Sequence, residues 1–153
     1  MSIPISTAGA VRYYLMTALA ARPEMASPVL VCLDGPSTYL AVDIVSVGDI
    51  HRSWSTHGMV GGGGAGWLEE SYTVEIVVDC FRGGDNASMV FSAAENLAMC
   101  VIDVVRLDPS LGGLVIQARP ESSDTSSGWE TAPNGARGRR SGVTLHIAIE
   151  ALD

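Results

Sequence analysis

Residues 70–113 decide the fold of this chain and read ESYTVEIVVDCFRGGDNASMVFSAAENLAMCVIDVVRLDPSLGG. Apolar and polar side chains alternate over residues 72–81, as in a β-strand with one buried face. The other face of this strand carries charge together with Val77 and Phe81, which indicates partial burial against another subunit. The inward positions of the strand are Tyr72, Val74, Ile76, Val78 and Cys80.

A long helix is predicted after the turn at Gly83-Gly84, where Asp85 is placed to accept hydrogen bonds from the first free backbone amides. At about 22 residues and 1.5 Å per residue the helix would measure roughly 33 Å, enough to cross a whole sheet. It ends at Asp108-Pro109, because the residue before a proline disfavours helical geometry. Its apolar stripe comprises Val90, Ala94, Leu97, Val101 and Val104, widened by Ala93, Cys100 and Val105.

A shorter helix is predicted near the N-terminus, with Ser6 or Thr7 as its cap and Arg22-Pro23 at its end. Two strands follow it, at 29–33 and 41–47. A typical turn sequence, Asp-Gly-Pro, lies between them. The two strands are therefore expected to form a hairpin or meander pair.

Two further strands are predicted at 114–119 and 142–152, and the second alternates strictly between apolar and polar residues. The element order is therefore α-β-β-β-α-β-β. This order predicts an α+β domain with a largely antiparallel sheet and two helices packed on one face. A length of 153 residues suits one domain that covers residues 1–153.

Two long loops are predicted within this domain, at 48–66 and 120–141. The first has no apolar period and contains four consecutive glycines at 61–64, while the second is rich in Ser, Gly and Arg. A loop of about twenty residues in a compact domain is usually functional or disordered. We therefore expect these loops to carry the working surfaces.

The chain has a formal charge of −8, and all nine of its basic residues are arginine. The absence of lysine excludes Schiff-base, P-loop and lysine-base chemistry. An acidic chain also repels phosphate backbones, which argues against a broad nucleic-acid-binding face. No apolar run approaches the roughly 20 residues that span a bilayer, and no signal-peptide pattern opens the chain. We expect a soluble cytosolic product without membrane contact.

No catalytic, cofactor-binding or metal-binding residue is predicted. His51 and His57 flank serines in the first loop, but a metal site needs further ligands, and no G-x-S-x-G elbow exposes a serine. The glycines at 61–66 precede a strand and no Gly-Lys-Ser/Thr, unlike a phosphate-binding loop. The three widely spaced cysteines and His146 are expected to be wholly or partly buried. A small ligand-binding or hydrolase domain that uses residues 51–57 is the lesser alternative.

Eight residues are candidate interface residues. Arg137, Arg139 and Arg140 form the only basic cluster of the sequence, which fits a solvated loop or a contact with an acidic partner or DNA phosphates. Val77 and Phe81 belong to the mixed strand face. Aromatic residues in loops are candidate anchors of interfaces, and three tryptophans lie in or beside the predicted loops: Trp54, Trp67 and Trp129.

The chain resembles the tail terminator proteins of long-tailed (siphovirus-type) bacteriophages, especially those of actinobacterial hosts. The likeness rests on the helix opening Ala10-Val11-Arg12-Tyr13-Tyr14-Leu15, the strand at 70–78, the turn Arg82-Gly83-Gly84-Asp85 and the helix exit at 106–113. A final strand that ends near Ala151-Leu152 completes it. These features follow in order over nearly the whole chain.

This resemblance implies a structural, non-enzymatic role in the virion neck. Tail terminators form a hexameric ring on the head-proximal end of the tail tube, stop tube polymerisation and present a surface to the head–tail connector (stopper) protein. Genome DNA passes through the ring without sequence-specific binding. The chain is thus expected to be a homo-oligomer between tail tube protein and connector, assembled in the host cytoplasm. A connector stopper or a tail tube subunit is the alternative within the same class.

Overall fold

The computed structural model describes residues 6–35, 43–57, 67–131, 135 and 137–152. Two helices and five strands follow the predicted order, with one short 3₁₀ helix, Pro23–Met25, after the first helix. The bounds of these elements are α1 Ala8–Ala20, β1 Leu30–Leu33, β2 Ile44–His57, β3 Trp67–Gly83, α2 Ala87–Leu107, β4 Gln117–Thr131 and β5 Arg137–Leu152.

All five strands belong to one sheet, in the order β1-β2-β3-β5-β4. β1 and β2 are parallel, and every other neighbouring pair is antiparallel. Both helices pack on one face of the sheet, α1 against β1 and β2, and α2 against β3, β5 and β4. The predicted α+β class, the largely antiparallel sheet and the placement of the helices are therefore confirmed.

The core lies between the helices and the inward face of the sheet. The five side chains predicted to point inward from β3 are at most 4% exposed. By length and composition alone α2 could span a membrane, but its buried stripe packs against three strands and marks it as a core helix. The stripe contains seven of the eight predicted residues together with Ala98: Val90, Ala94, Leu97, Cys100, Val101, Val104 and Val105.

The expected hairpin between the first two strands is wrong. Residues 30–33 align with residues 44–47 in a parallel pair. The turn residues Asp34 and Gly35 do adopt positive φ values of 57° and 86°. A tight turn joins antiparallel strands, so the parallel pairing of these two strands rules out the predicted hairpin. The remainder of the predicted turn lies outside the described residues.

Both predicted long loops are largely strand. Residues 48–57 continue β2 and pair with β3, while residues 120–131 and 137–141 belong to β4 and β5. An irregularity between Val47 and Ile50 shifts the register of β2. Because this bulge leaves both side chains on the inward face, the two-residue period breaks where the loop was predicted to begin. Most of the rest of each predicted loop lies outside the described residues.

The turn before α2 differs from the prediction at Asp85. The cap position of the helix is Asn86, and its side chain forms no capping hydrogen bond. Asp85 instead forms an ion pair with Arg139 of β5, with 2.9 Å between Oδ1 and Nε. A charged partner attracts this carboxylate more strongly than a neutral backbone amide does.

A buried carboxylate, that of Glu70 on β3, receives the start of α1. Its Oε1 accepts hydrogen bonds from the backbone amide of Thr7 at 3.1 Å and from the Thr7 hydroxyl at 2.9 Å. Its Oε2 accepts one from the Ser6 hydroxyl at 2.6 Å, and Ser6 Oγ accepts one from the amide of Ala8. Arg52 Nε lies 3.3 Å from Oε2 and balances the charge. A strand side chain thus shares the capping role that was predicted for Ser6 or Thr7.

We expect Glu70→Ala to lower the free energy of unfolding by about 3 kcal/mol, because the substitution leaves Arg52 and the start of α1 without their partner. Chemical denaturation measures this loss. Glu121→Ala, which removes an exposed carboxylate from β4, is the matched control and should shift stability by less than about 0.5 kcal/mol. Equal effects of the two substitutions would contradict the capping role.

The exit of α2 is held by the carboxylate of Asp108. It accepts hydrogen bonds from the Tyr14 hydroxyl at 2.8 Å, the Ser110 hydroxyl at 2.9 Å and the Gly112 amide at 2.8 Å. Leu111 adopts a φ of 49° and is fully buried. A Cβ at Gly112 would lie 3.1 Å from the Tyr14 ring, and φ is 70° there, so this position requires glycine. The Asp-Pro-Ser-Leu-Gly-Gly sequence is therefore a structural turn.

The hydrogen bond from Tyr14, with those from Gly112 and Ser110, lowers the pKa of Asp108. A carboxyl group of this kind stabilises the fold above its unfolded pKa of about 3.9, and the contribution is lost as pH falls through the folded pKa. We expect Tyr14→Phe to raise the pKa of Asp108 and to weaken this loss of stability in acid. NMR titration of the Asp108 carboxyl carbon measures the change, and an unaltered midpoint would refute it.

Candidate assembly surfaces

We call the sheet surface opposite the helices the open face, because among the described residues no helix packs over it. Strand alternation assigns to it the outward positions of β3 and β5, with the matching positions of β4. His146 is half-buried at one of these positions, as predicted. Small and polar side chains predominate at its centre: Thr73, Ser122, Ser126, Gly142, Thr144 and Ala148.

The open face is acidic. Six carboxylates and two guanidinium groups occupy outward positions of β3, β4 and β5, which leaves a formal excess of four negative charges. Both guanidinium groups, those of Arg119 and Arg140, form ion pairs with carboxylates of the same face. The six acidic residues are Glu69, Glu75, Asp79, Asp124, Glu130 and Glu150.

Arg140 organises one end of the open face. Its Nη1 lies 2.5 Å from Asp79 Oδ2, and its Nε pairs with Glu130. Its guanidinium also lies 5.5 Å from the centre of the Phe81 ring. Phe81 is only 8% exposed, so Arg140 of the same chain contacts the ring that was predicted to meet another subunit. Val77, the other predicted residue of this face, is half-buried as expected.

Burial raises the pKa of Asp79, and Arg140 opposes this rise. We therefore expect Arg140→Ala to destabilise the fold by about 2 kcal/mol, because it leaves a partly buried carboxylate without its charged partner. Thermal or chemical denaturation tests this. Arg137→Ala removes an exposed arginine of the same strand and should cost less than about 0.5 kcal/mol. If Arg140→Ala lowers stability no more than Arg137→Ala does, the ion pair between Arg140 and Asp79 contributes little.

A second cluster, the arginine–tryptophan end, consists of Trp129, Arg137 and Arg139 where β4 ends and β5 begins. The guanidinium of Arg139 lies 4.1 Å from the Trp129 ring centre, and that of Arg137 lies 6.0 Å from it. Trp129 remains 51% exposed. The predicted solvated loop is wrong for these arginines, since they lie on β5. Arg139 and Arg140 point to opposite faces and both pair with carboxylates, so they form no joint surface for DNA phosphates.

Trp54 lies far from Trp129. It is 48% exposed on β2, and the Arg52 guanidinium lies 5.4 Å from its ring centre. Trp54 aligns with Glu70 of β3, whereas the Trp129 row crosses β3 at Arg82. Twelve residues of strand, about 40 Å at 3.3 Å each, therefore separate the two tryptophans. Trp67 opens β3, and its side chain lies outside the described part of the structure.

Two exposed apolar surfaces were missed from the sequence. On α2, Met89, Phe91 and Met99 are 45–60% exposed. The sequence did contain a signal for this exposure, because these three residues lie outside the predicted apolar stripe of the helix. The other surface, which we call the apolar end, lies where α2 and β5 end and β4 begins. Its four exposed residues are Leu107, Leu114, Ile116 and Leu152.

The histidines and cysteines do not come together in the described part of the chain. There, no group of three or more His, Cys, Asp or Glu side chains is placed to hold a metal. His51 is exposed on β2, and the side chain of His57 lies outside the description. Cys80 and Cys100 are buried as expected, while Cys32 is partly exposed. Burial raises the pKa of Cys80 to about 12, so its thiol stays protonated.

Comparisons with known proteins agree with the fold. No protein-family model and no curated protein sequence matches this chain. Among solved structures, a chain described as "Virion of native gene transfer agent (GTA) particle" is similar over 97% of this chain and 100% of its own length. The TM-score is 0.54 at 13% sequence identity. The two chains share a fold.

Proposed function

We propose that this chain is a structural protein of a phage-like virion. The observation that carries the proposal is the fold shared with a chain of the gene transfer agent virion, over nearly the full length of both. The resemblance of the sequence to phage tail terminators points in the same direction and draws on different features. A fold comparison depends on backbone geometry, whereas that resemblance depends on residues in turns and strands.

Within the virion, we assign the chain to the tail neck as a tail terminator. A ring, hexameric by the resemblance, caps the tail tube, ends its polymerisation and joins it to the head–tail connector. The turns on which the resemblance rests support this role because they hold the rigid part of the subunit in place. Asp108 fixes the exit of α2, and Asp85 connects the turn before that helix to Arg139.

The open face suits the wall of a DNA channel. Six copies would carry a formal charge of 6 × −8 = −48, and the open face of each copy is itself acidic. A negative wall repels the phosphate backbone, so DNA slides through without sticking. The small side chains at the centre of the face leave the channel smooth and offer no pattern for reading bases.

The two ends of the sheet suit the two partners of a terminator. The arginine–tryptophan end presents a half-exposed aromatic ring under arginines, which is typical of an interface anchor. The apolar end, at the opposite end of the strands, presents four exposed aliphatic side chains. We assign one end to the tail tube protein and the other to the connector.

Electron microscopy of the purified chain, alone and mixed with isolated tail tubes, tests the proposal. We expect rings that cap one end of each tube. Trp129→Ser and Ile116→Ser alter one end each, so each should abolish attachment to one partner and spare the other. Long tubes made by the chain alone would identify a tube subunit, and tube ends that remain bare would refute the terminator role.

A further inference from the structure

Two long edges of the sheet have no strand partner among the described residues. β4 pairs only with β5, and residues 121–131 of β4 are exposed except for the half-buried Gly128. At the other edge, β1 aligns only with residues 44–47 of β2, so residues 50–57 pair with β3 alone. Unpaired backbone N–H and C=O groups of this kind are a template for pairing with another chain.

The two free edges differ in charge. Residues 121–131 include three carboxylates and no cationic side chain. Residues 50–57 include no carboxylate, and the charge of their one arginine, Arg52, is balanced by Glu70. The β2 edge therefore accepts an acidic β4 edge without repulsion, whereas two acidic β4 edges would repel one another.

The strand directions also match. β4 is antiparallel to β5, β5 to β3 and β3 to β2, so β2 and β4 of one copy run in opposite directions. A rotation about an axis that follows the strands preserves these directions. β4 of one copy then meets β2 of the next as an antiparallel pair. Such a contact joins two different surfaces and closes into a ring when the rotation closes.

We propose that copies of this chain assemble by pairing the free edge of β4 with residues 50–54 of β2 in the next copy, which makes one continuous sheet around the ring. This inference rests on the proposed ring-forming function and specifies its subunit contact. The partner is a second copy of the same chain, because its β2 edge lacks carboxylates and runs in the direction that matches β4.

The pairing requires a stagger, since the two free stretches lie towards opposite ends of the strands. In a level arrangement Ile50 of the next copy stands beside Pro120, because both residues share one row across the sheet. Strands of barrels tilt by about 40°, and over four strands spaced about 4.8 Å apart this tilt shifts the next copy by roughly 16 Å, or about five residues. Residues 50–54 then lie beside residues 121–125. Pairing stops before Ala118, whose backbone N–H already binds the Pro109 carbonyl, and it stops after residue 125, because β1 of the next copy occupies the edge beside residues 44–47.

The sense of the stagger decides which face turns inward. β3 and β4 are parallel and are joined through α2, and about 98% of such crossovers are right-handed. Seen from the helix side with β3 pointing up, β4 therefore lies at the right edge of the sheet and β2 lies to the left of β3. Right-handed strand twist makes barrel strands rise to the right when seen from outside, so the right-hand neighbour is raised. If the helices face the outside of the ring, this raised neighbour is the copy whose β2 meets β4, and its residues 50–57 move up towards the free edge of β4. If the helices face the lumen, the copy whose β2 meets β4 is lowered and the two free stretches move apart. The open face therefore lines the lumen.

Disulfide cross-linking tests the contact. The stagger places Ser53 beside Ser122 of the neighbouring copy, with both side chains on the open face. In a Cys32→Ser background, Ser53→Cys with Ser122→Cys, or with Asp124→Cys one step along, should give a ladder of linked multimers after mild oxidation. Links within one copy are excluded, because three strand spacings, about 14 Å, exceed the reach of a disulfide. Ser53→Cys with Ser92→Cys, on the exposed side of α2, is the control and should give no ladder.

The outcomes separate the contact from the function. Rings on tube ends without a ladder for either cysteine pair would overturn the edge contact and leave the terminator role standing. Failure to form rings on tubes would overturn the terminator role itself. A ladder as strong in the Ser92 control would also overturn the edge contact, because linkage would then be unspecific.

The orientation has its own readout in the assembled ring. A large maleimide–polyethylene glycol should label Met99→Cys on α2 at the rate of the free subunit. It should label Thr144→Cys on the open face at least tenfold more slowly than in the free subunit. The reverse pattern would place the helices inside the ring and overturn the inferred direction of the stagger.

Discussion

The unbroken pairing of β3 with β5 is the constraint on which the rest of the structure depends. It runs from Glu69 opposite Leu152 to Gly83 opposite Gly138 without a bulge. A Cβ on Gly138 would collide with the backbone carbonyl of Arg82, so only glycine allows the two strands to stay paired to their ends. β2 and β4 attach on either side of this pair, and α2 packs across it. The two strands with bulges, β2 and β4, are therefore held in place by the bulge-free pair of β3 and β5.

The sequence predicts those elements whose burial is periodic. β3 and α2 each bury one face, and their periods of 2.0 and 3.6 residues are visible in the residues themselves. β2 was cut short because its bulge lets Val47 and Ile50 point to the same face. β4 was largely missed because its residues beyond Pro120 are exposed on both faces. Backbone pairing to β5 stabilises them, and such pairing leaves no trace in side-chain hydrophobicity.

The candidate site was harder to predict, because its contacts depend on register. Arg140 meets Phe81 only because the two are paired across β5 and β3. No pattern along the chain indicates that pairing, so Phe81 was predicted as free for another subunit. Glu70 did leave a signal. It lies two residues before Tyr72 in the inward row of β3, where a carboxylate must find partners within the fold.

The open face and the exposed apolar residues suit different tasks. An exposed sheet face is usually buried by another element or protein, but the small and acidic side chains of the open face offer little apolar area to a protein partner. The open face can remain in contact with water because the hydrophobic core lies on the opposite face of the sheet. Most of the large apolar side chains that remain exposed lie at the apolar end and on α2. In the proposed ring, a face that repels phosphate, with association left to edges and ends, would let one subunit bind its neighbours firmly and DNA weakly.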